Sequence, residues 1–172
     1  YRMKQRVVAF TDVPHPLPPF ETWMSWQGEM VTGEGKKVEV RKIDWNGQSC
    51  FLKVSYAESW ESVLRQWLYG RRAVSSPELE AVNLLGLQKA GFDVVPVLAA
   101  GTAYLHGKAA QGFLVTHAVN GVDFDKDLLM SSRPRRSKLL HCYGQMIARL
   151  HRLNYYEPLR CTDVLVDNDR FV

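Results

Sequence analysis

The residues of this sequence whose types and positions invite chemistry are one lysine, one glutamate and a pair of glycines. Lys53 stands in "FLKVS", late in an apolar run that reads as a strand. An ammonium there either snorkels to the sheet edge or meets an anion. Glu80 stands early in "PELEAVNLLGLQKAG", which reads as a helix. A carboxylate so placed can hold a strand lysine by a charge-assisted hydrogen bond. Gly33 and Gly35 in "TGEGKK" suggest a tight turn. In this order the lysine and the glutamate suit a bound phosphate. Singly they also read as a surface lysine, a solvated helix acid and an ordinary hairpin turn.

The elements that must position them follow from periodicity and turn chemistry. Val38, Val40 and Ile43 form one β run, and Phe51, Leu52 and Val54 form its partner. Asn46-Gly47 between them is a type I′ turn signal, since both central positions need positive φ. With a turn at Gly33–Gly35, this predicts an antiparallel sheet of at least three strands. Trp60, Val63, Leu64, Trp67 and Leu68 have helical spacing, with Gly70 as a stop. Next comes a helix capped by Ser76, with Pro77 in its first turn, Glu78 and Glu80 at its positive end and Gly91 as its terminus. "DVVPVLAAGTAYLHG" and "AQGFLVTHAV" read as two strands around a Gly107 turn. "DFDKDLLMSS" is a short helix or turn. A long helix carries Leu139, Cys142, Tyr143, Met146, Ile147, Leu150 and Leu153 on one stripe. A short hairpin ends the chain, with Asp167 and Asp169 as its turn residues. Ahead of everything, Pro14, Pro16, Pro18 and Pro19 imply an extended arm, with Trp23 and Trp26 as packing anchors. Strands and helices are partly segregated, which indicates an α+β fold.

Composition sets the outer bounds. The 172 residues suit one domain able to bury a core, at 46% hydrophobic and 23% charged. The formal charge of +4 is compatible with an anionic substrate or membrane surface. Nothing in the pattern calls for a nucleic acid. Cys50, Cys142 and Cys161 are widely spaced and read as reduced thiols of a cytoplasmic protein. His15, His106, His141 and His151 show no ligand spacing. No apolar run reaches bilayer-spanning length. The chain starts at Tyr1 and stops inside an apparent strand, so a truncated chain is expected.

A strand lysine, a helix glutamate, two further strands and then "FLVT" is the ordering of a kinase amino-terminal lobe. From about Met30 to Val172 the sequence resembles the lipopolysaccharide kinase family, protein-kinase-like enzymes that phosphorylate Kdo or heptose of the inner core. "FLKVS", "SSPELEAVNLLGLQKAGFDVVPVLAAG", "FLVTHAVNG" and "IARLHRLNYY" carry the likeness. It implies a protein-kinase-like fold with an arm over 1–27, an amino-terminal lobe over 28–119 and a partial helical lobe over 120–172. It implies ATP and magnesium as cofactors and a lipopolysaccharide or lipid A core sugar as acceptor. Lys53 and Glu80 would be the ion pair, and Thr116 the back of the adenine pocket. The backbones of His117 and Val119 would bind adenine, and Gly33 and Gly35 would form a short phosphate cover.

The catalytic loop departs from the family's pattern. Counting from Leu150-His151 places Glu157 at the usual His, Leu159 at the catalytic Asp and Val164 at the metal-binding Asn. Shortening the loop by one residue moves Asp163 onto the Asn position and Pro158 onto the Asp. Losing a general base typically costs ~10²–10⁴-fold in rate. Glu157 and Asp163 remain as candidate bases or metal ligands, and the metal site is undefined. Two functions stay open: a phosphotransferase, and a pseudokinase-like binding or regulatory protein of envelope assembly. "SSRPRRSK" offers Arg133, Arg135, Arg136 and Lys138 either as a solvated face or as a contact with anionic headgroups at the inner membrane's cytoplasmic face.

Overall fold

The structure is a computed structural model that describes residues 3–10, 16–68, 73–155, 164–167 and 170–172. It separates into two compact units, residues 1–91 with 95–118, and residues 92–94 with 119–172.

The first unit is built on a six-stranded antiparallel sheet. Its strands are β1 (Lys4–Ala9), β2 (Glu29–Thr32), β3 (Val38–Trp45), β4 (Gln48–Ser55), β5 (Val97–Leu105) and β6 (Lys108–His117), in spatial order β1-β5-β6-β4-β3-β2. Three helices accompany it: α1 (Phe20–Ser25), α2 (Trp60–Leu68) and α3 (Ser76–Lys89). The β3–β4 hairpin closes on Asn46 and Gly47 at φ 55° and 75°, and β5–β6 on His106 and Gly107 at φ 50° and 78°. Both turns place two residues in the left-handed region, as expected for tight hairpins.

Each face of the sheet has its own cover. Cys50, Leu52, Val54, Phe113 and Val115 turn to one face, where Phe20 and Trp23 of α1 pack on them. Trp23 is fully buried, stacked on Phe113 and Trp26 and edge-on to Trp45. Ala100, Leu114 and Val97 turn to the other face, where Ala81, Leu84 and Leu85 of α3 cover them. Strand alternation enforces this division, because neighbours along a strand point to opposite faces.

The amino-terminal segment contributes more than an arm. Residues 4–9 pair as an edge strand with Ala99 to Tyr104 of β5, and α1 follows. Pro16, Pro18 and Pro19 stand in irregular backbone just ahead of α1, and Pro14 lies outside the described residues. Helix α3 also starts differently from expectation. Its cap is Ser75, in extended backbone, and Ser76 is its first helical residue. In α2 only Val63 and Gln66 are buried, while Trp60, Leu64, Trp67 and Leu68 face outward.

A polar network ties the β2–β3 turn to the sheet. Arg41 donates to Glu39 Oε2 (2.5 Å), to the Tyr56 hydroxyl (2.6 Å) and to the Trp26 carbonyl (2.7 Å). The Tyr56 hydroxyl donates to Glu39 (2.9 Å), and the Gly35 N–H donates to the other Glu39 oxygen (3.3 Å). The Arg41 hydrogen bond, then that of Tyr56, holds the Glu39 carboxyl below its ordinary pKa. A depressed carboxylate pKa contributes stability above the unfolded value and loses it as pH falls through the folded value. Glu39→Gln is therefore expected to destabilise at neutral pH, with the deficit shrinking as pH falls below the ordinary carboxylate range. Urea midpoints of both proteins across pH check this. A deficit independent of pH would remove the ionic account.

The second unit holds β7 (Val122–Asp123), α4 (Phe124–Met130), α5 (Arg133–Arg152), β8 (Leu165–Asp167) and β9 (Arg170–Phe171). Its three strands order β7-β8-β9, and Phe124, Leu139, Val164 and Val166 form its apolar centre.

Candidate functional site

Lys53 lies in β4 directly opposite Leu114 of β6. Leu114 is on the face that α3 covers, so Lys53 points there too, while its neighbours Leu52 and Val54 point into the α1 core. Glu80 lies in the second turn of α3. Lys53 Nζ and Glu80 Oε2 meet at 2.5 Å, with 33% and 43% of the side chains exposed. At that exposure the pair adds only about 0–1 kcal/mol to stability. Its consequence is placement: an ammonium held on the α3 face of the sheet and still one-third exposed.

Thr116 shares that face. It is two residues from Leu114 along β6, opposite Phe51, and nearly buried. His117 ends the strand. Its N–H donates to the Pro96 carbonyl at 3.0 Å. In an antiparallel pair the opposite residue returns that bond. Pro96 has no N–H and cannot return it, so the His117 carbonyl lacks its strand partner. The next N–H, of Ala118, donates to Ser49 (2.9 Å). Val119 belongs to the second unit.

The glycine turn is formed as expected. Gly33 has φ 88°, and a Cβ on it would lie 2.1 Å from the Val38 carbonyl, so no other residue fits. Gly35 has φ 68° with open space around its Cβ position. The Lys36 N–H closes the turn onto the Gly33 carbonyl (2.8 Å).

The structure thus brings Lys53, Glu80 and Thr116 to one face of one sheet. Glu157, Leu159 and Asp163 lie outside the described residues. Val164 is described: it is buried among Phe124, Leu139 and Val166, and its carbonyl accepts the Phe124 N–H (3.0 Å). An apolar side chain so enclosed holds no metal. Among the described residues no group of three His, Cys, Asp or Glu is placed to hold one. Asp167 ends β8 opposite Arg170 of β9, and Asp169 lies outside the described residues.

The basic cluster falls within the first turns of α5 rather than ahead of it. Arg135 pairs with Asp127 (2.8 Å), and its hydrogen bond holds the Asp127 carboxyl below its ordinary pKa. Arg136 donates to the carbonyls of Leu128 (2.9 Å) and Ser131 (3.2 Å). Arg133 and Lys138 are exposed. Sequence reasoning passed over the part Pro96 plays, although a proline just before a strand is visible as the "VP" of "DVVPVL". It also passed over Ser75 and Thr102, whose partnership is described below.

Residues 21–168 match the sequence profile of the "Lipopolysaccharide kinase (Kdo/WaaP) family". No curated protein matches the chain. A solved structure, "WaaP in complex with acyl carrier protein", superposes with a TM-score of 0.65 at 19% identity, over 97% of this chain and 68% of that one. Antiparallel sheet, helices and this likeness together make the fold α+β and protein-kinase-like.

Proposed function

We propose, because this chain belongs to the lipopolysaccharide kinase (Kdo/WaaP) family, that it serves phosphoryl transfer from ATP to a sugar hydroxyl of the lipopolysaccharide inner core. The observation that carries this reading is the Lys53–Glu80 pair, held on the sheet face that also bears Thr116. ATP would supply the phosphoryl group. Lys53 would neutralise phosphate oxygens while Glu80 keeps its ammonium from swinging away. The unreturned His117 carbonyl would accept from the adenine amino group, with the Val119 backbone as the companion contact. The Gly33–Gly35 turn would offer N–H groups over the phosphates. Glu157 and Asp163 are the carboxylates proposed to take the acceptor proton. The proposed setting is the inner membrane's cytoplasmic face; among the described residues no helix is long and apolar enough to cross a membrane.

A second reading, a pseudokinase-like binding protein, is favoured by one observation: the buried, apolar Val164 at the metal-ligand position. Thermal shift with ATP, followed by phosphate transfer to a lipopolysaccharide acceptor, separates the two. Turnover removes the second reading, and a shift without turnover removes the first. No shift at millimolar ATP removes the nucleotide site from both.

Pro96 offers a sharper check on adenine. Pro96→Ala restores an N–H that can pair with the His117 carbonyl. One hydrogen bond is worth about 1 kcal/mol, so ATP affinity should fall roughly fivefold while stability holds or rises. Unchanged affinity by calorimetry would free the carbonyl from that role.

A further inference from the structure

Helix α3 carries Glu80, so whatever sets the height of α3 on the sheet sets the ion pair. The first turn of α3 is joined to β5 through a closed ring of buried groups. Ser75 and Glu78 have the spacing of a capping box, in which the glutamate normally reaches back to the cap N–H. Here only half of that box is direct: the Ser75 hydroxyl accepts the Glu78 N–H (3.3 Å). The other half passes through Thr102 of β5. The Thr102 hydroxyl accepts the Ser75 N–H (2.9 Å) and donates to Glu78 Oε2 (2.5 Å). The Ser75 hydroxyl in turn donates to the Gly101 carbonyl (3.2 Å). Ser75, Glu78 and Thr102 are all buried, and Thr102 completely so.

The sheet is shaped to receive this turn. Gly112 stands opposite both Thr102 and Ser55, and a Cβ on it would lie 1.9 Å from Ser75 Oγ. The missing side chain is the seat for the cap. Glu78 gains one longer-range partner, Arg6 of β1 at 3.7 Å. Glu80 follows Glu78 by two residues, a rise of about 3 Å along the helix. A ring that fixes Glu78 against β5 therefore fixes Glu80 over β4.

We propose that Thr102 is a positioning residue: by completing the α3 capping box from β5, it locks α3 to the sheet and keeps the Lys53–Glu80 pair formed without any bound ligand. This rests on the reading of Lys53 and Glu80 given above, but its test does not need nucleotide. Thr102→Val keeps shape and removes the hydroxyl, leaving the Glu78 carboxylate and the Ser75 N–H without it. Hydrogen exchange should then quicken in residues 76–89 roughly tenfold, the size expected when buried groups lose their partner. Exchange in β3 and β4 should stay unchanged. Acylation of Lys53 by an amine reagent should rise towards the rate in Glu80→Ala, and Thr102→Ser should restore both readings. In nucleotide assays the KM for ATP should rise more than kcat falls. Wild-type exchange and wild-type Lys53 labelling in Thr102→Val would overturn the proposal. Should Thr102→Val not fold, Ser75→Gly breaks the ring from the other side and carries the same comparison. If ATP does not bind at all, exchange and labelling still decide whether the lock exists.

Discussion

Lys53→Ala is expected to abolish the thermal shift by ATP and to lower any phosphate transfer by ~10²–10³-fold, the range for removing one preorganised charge-stabilising donor. It should do so with almost no change in stability. The pair is one-third to two-fifths exposed, so its removal costs at most about 1 kcal/mol. That split between function and stability distinguishes a phosphate-holding lysine from a structural one. Glu80→Gln is milder, because the amide oxygen still accepts from the ammonium. Once Lys53 is gone, Glu80 has nothing left to position, so Lys53→Ala/Glu80→Ala is no worse than Lys53→Ala alone. An unchanged nucleotide shift in Lys53→Ala would end the nucleotide reading of this face. Loss of several kcal/mol in urea would make the pair structural instead.

Trp23→Ala carries the largest expected effect on stability, about 3–5 kcal/mol, from lost burial and the cavity left behind. The indole is completely enclosed. Its ring centroid lies 5.0 Å from Trp26, 5.1 Å from Trp45 and 5.4 Å from Phe113. No small shift of α1 fills that volume, because Phe20 on the same helix is already packed on Phe113 at 5.5 Å. A domain of this size has about 5–15 kcal/mol in all, so the variant is expected near the edge of folding. The urea midpoint should fall with the slope unchanged if α1 stays docked. A lower slope would mean that α1 leaves the sheet in the native state. A loss under about 1 kcal/mol would show that the face opposite α3 repacks without it.

The two variants report on opposite faces of one strand. Lys53 and Leu52 are neighbours in β4, yet one change is expected to strike binding and the other face's tryptophan stability. Alternation was readable in "SCFLKVS", and with it the fact that Lys53 could not join the core of Leu52 and Val54. Which helix would lie over the lysine was named only by the family resemblance, not by the residues themselves. Glu80 is 27 residues away from it, and the choice between a solvated acid and a partner depends on how α3 lands on β5 and β6. The exposed face of α2 makes the same point in reverse. Its spacing indicated a helix, but Trp60, Leu64, Trp67 and Leu68 are outside, because a helix's own pattern does not say which stripe meets the sheet.

By itself the sequence determined the local facts. These are the turns at Asn46-Gly47 and His106-Gly107, the glycine demanded at position 33, the helix stop at Gly91 and the strand that carries Lys53. Each depends on residues within a few positions, where φ limits and side-chain periodicity act directly. It also determined that leucine and valine occupy the catalytic-loop positions under one register. Tertiary structure alone decided that residues 4–9 complete the sheet, that Pro96 faces His117 and cannot return its bond, and that Thr102 closes the cap of α3. Those pairings join residues far apart in the chain. They are set by strand order and register, which follow from the burial of the whole sheet rather than from any one segment.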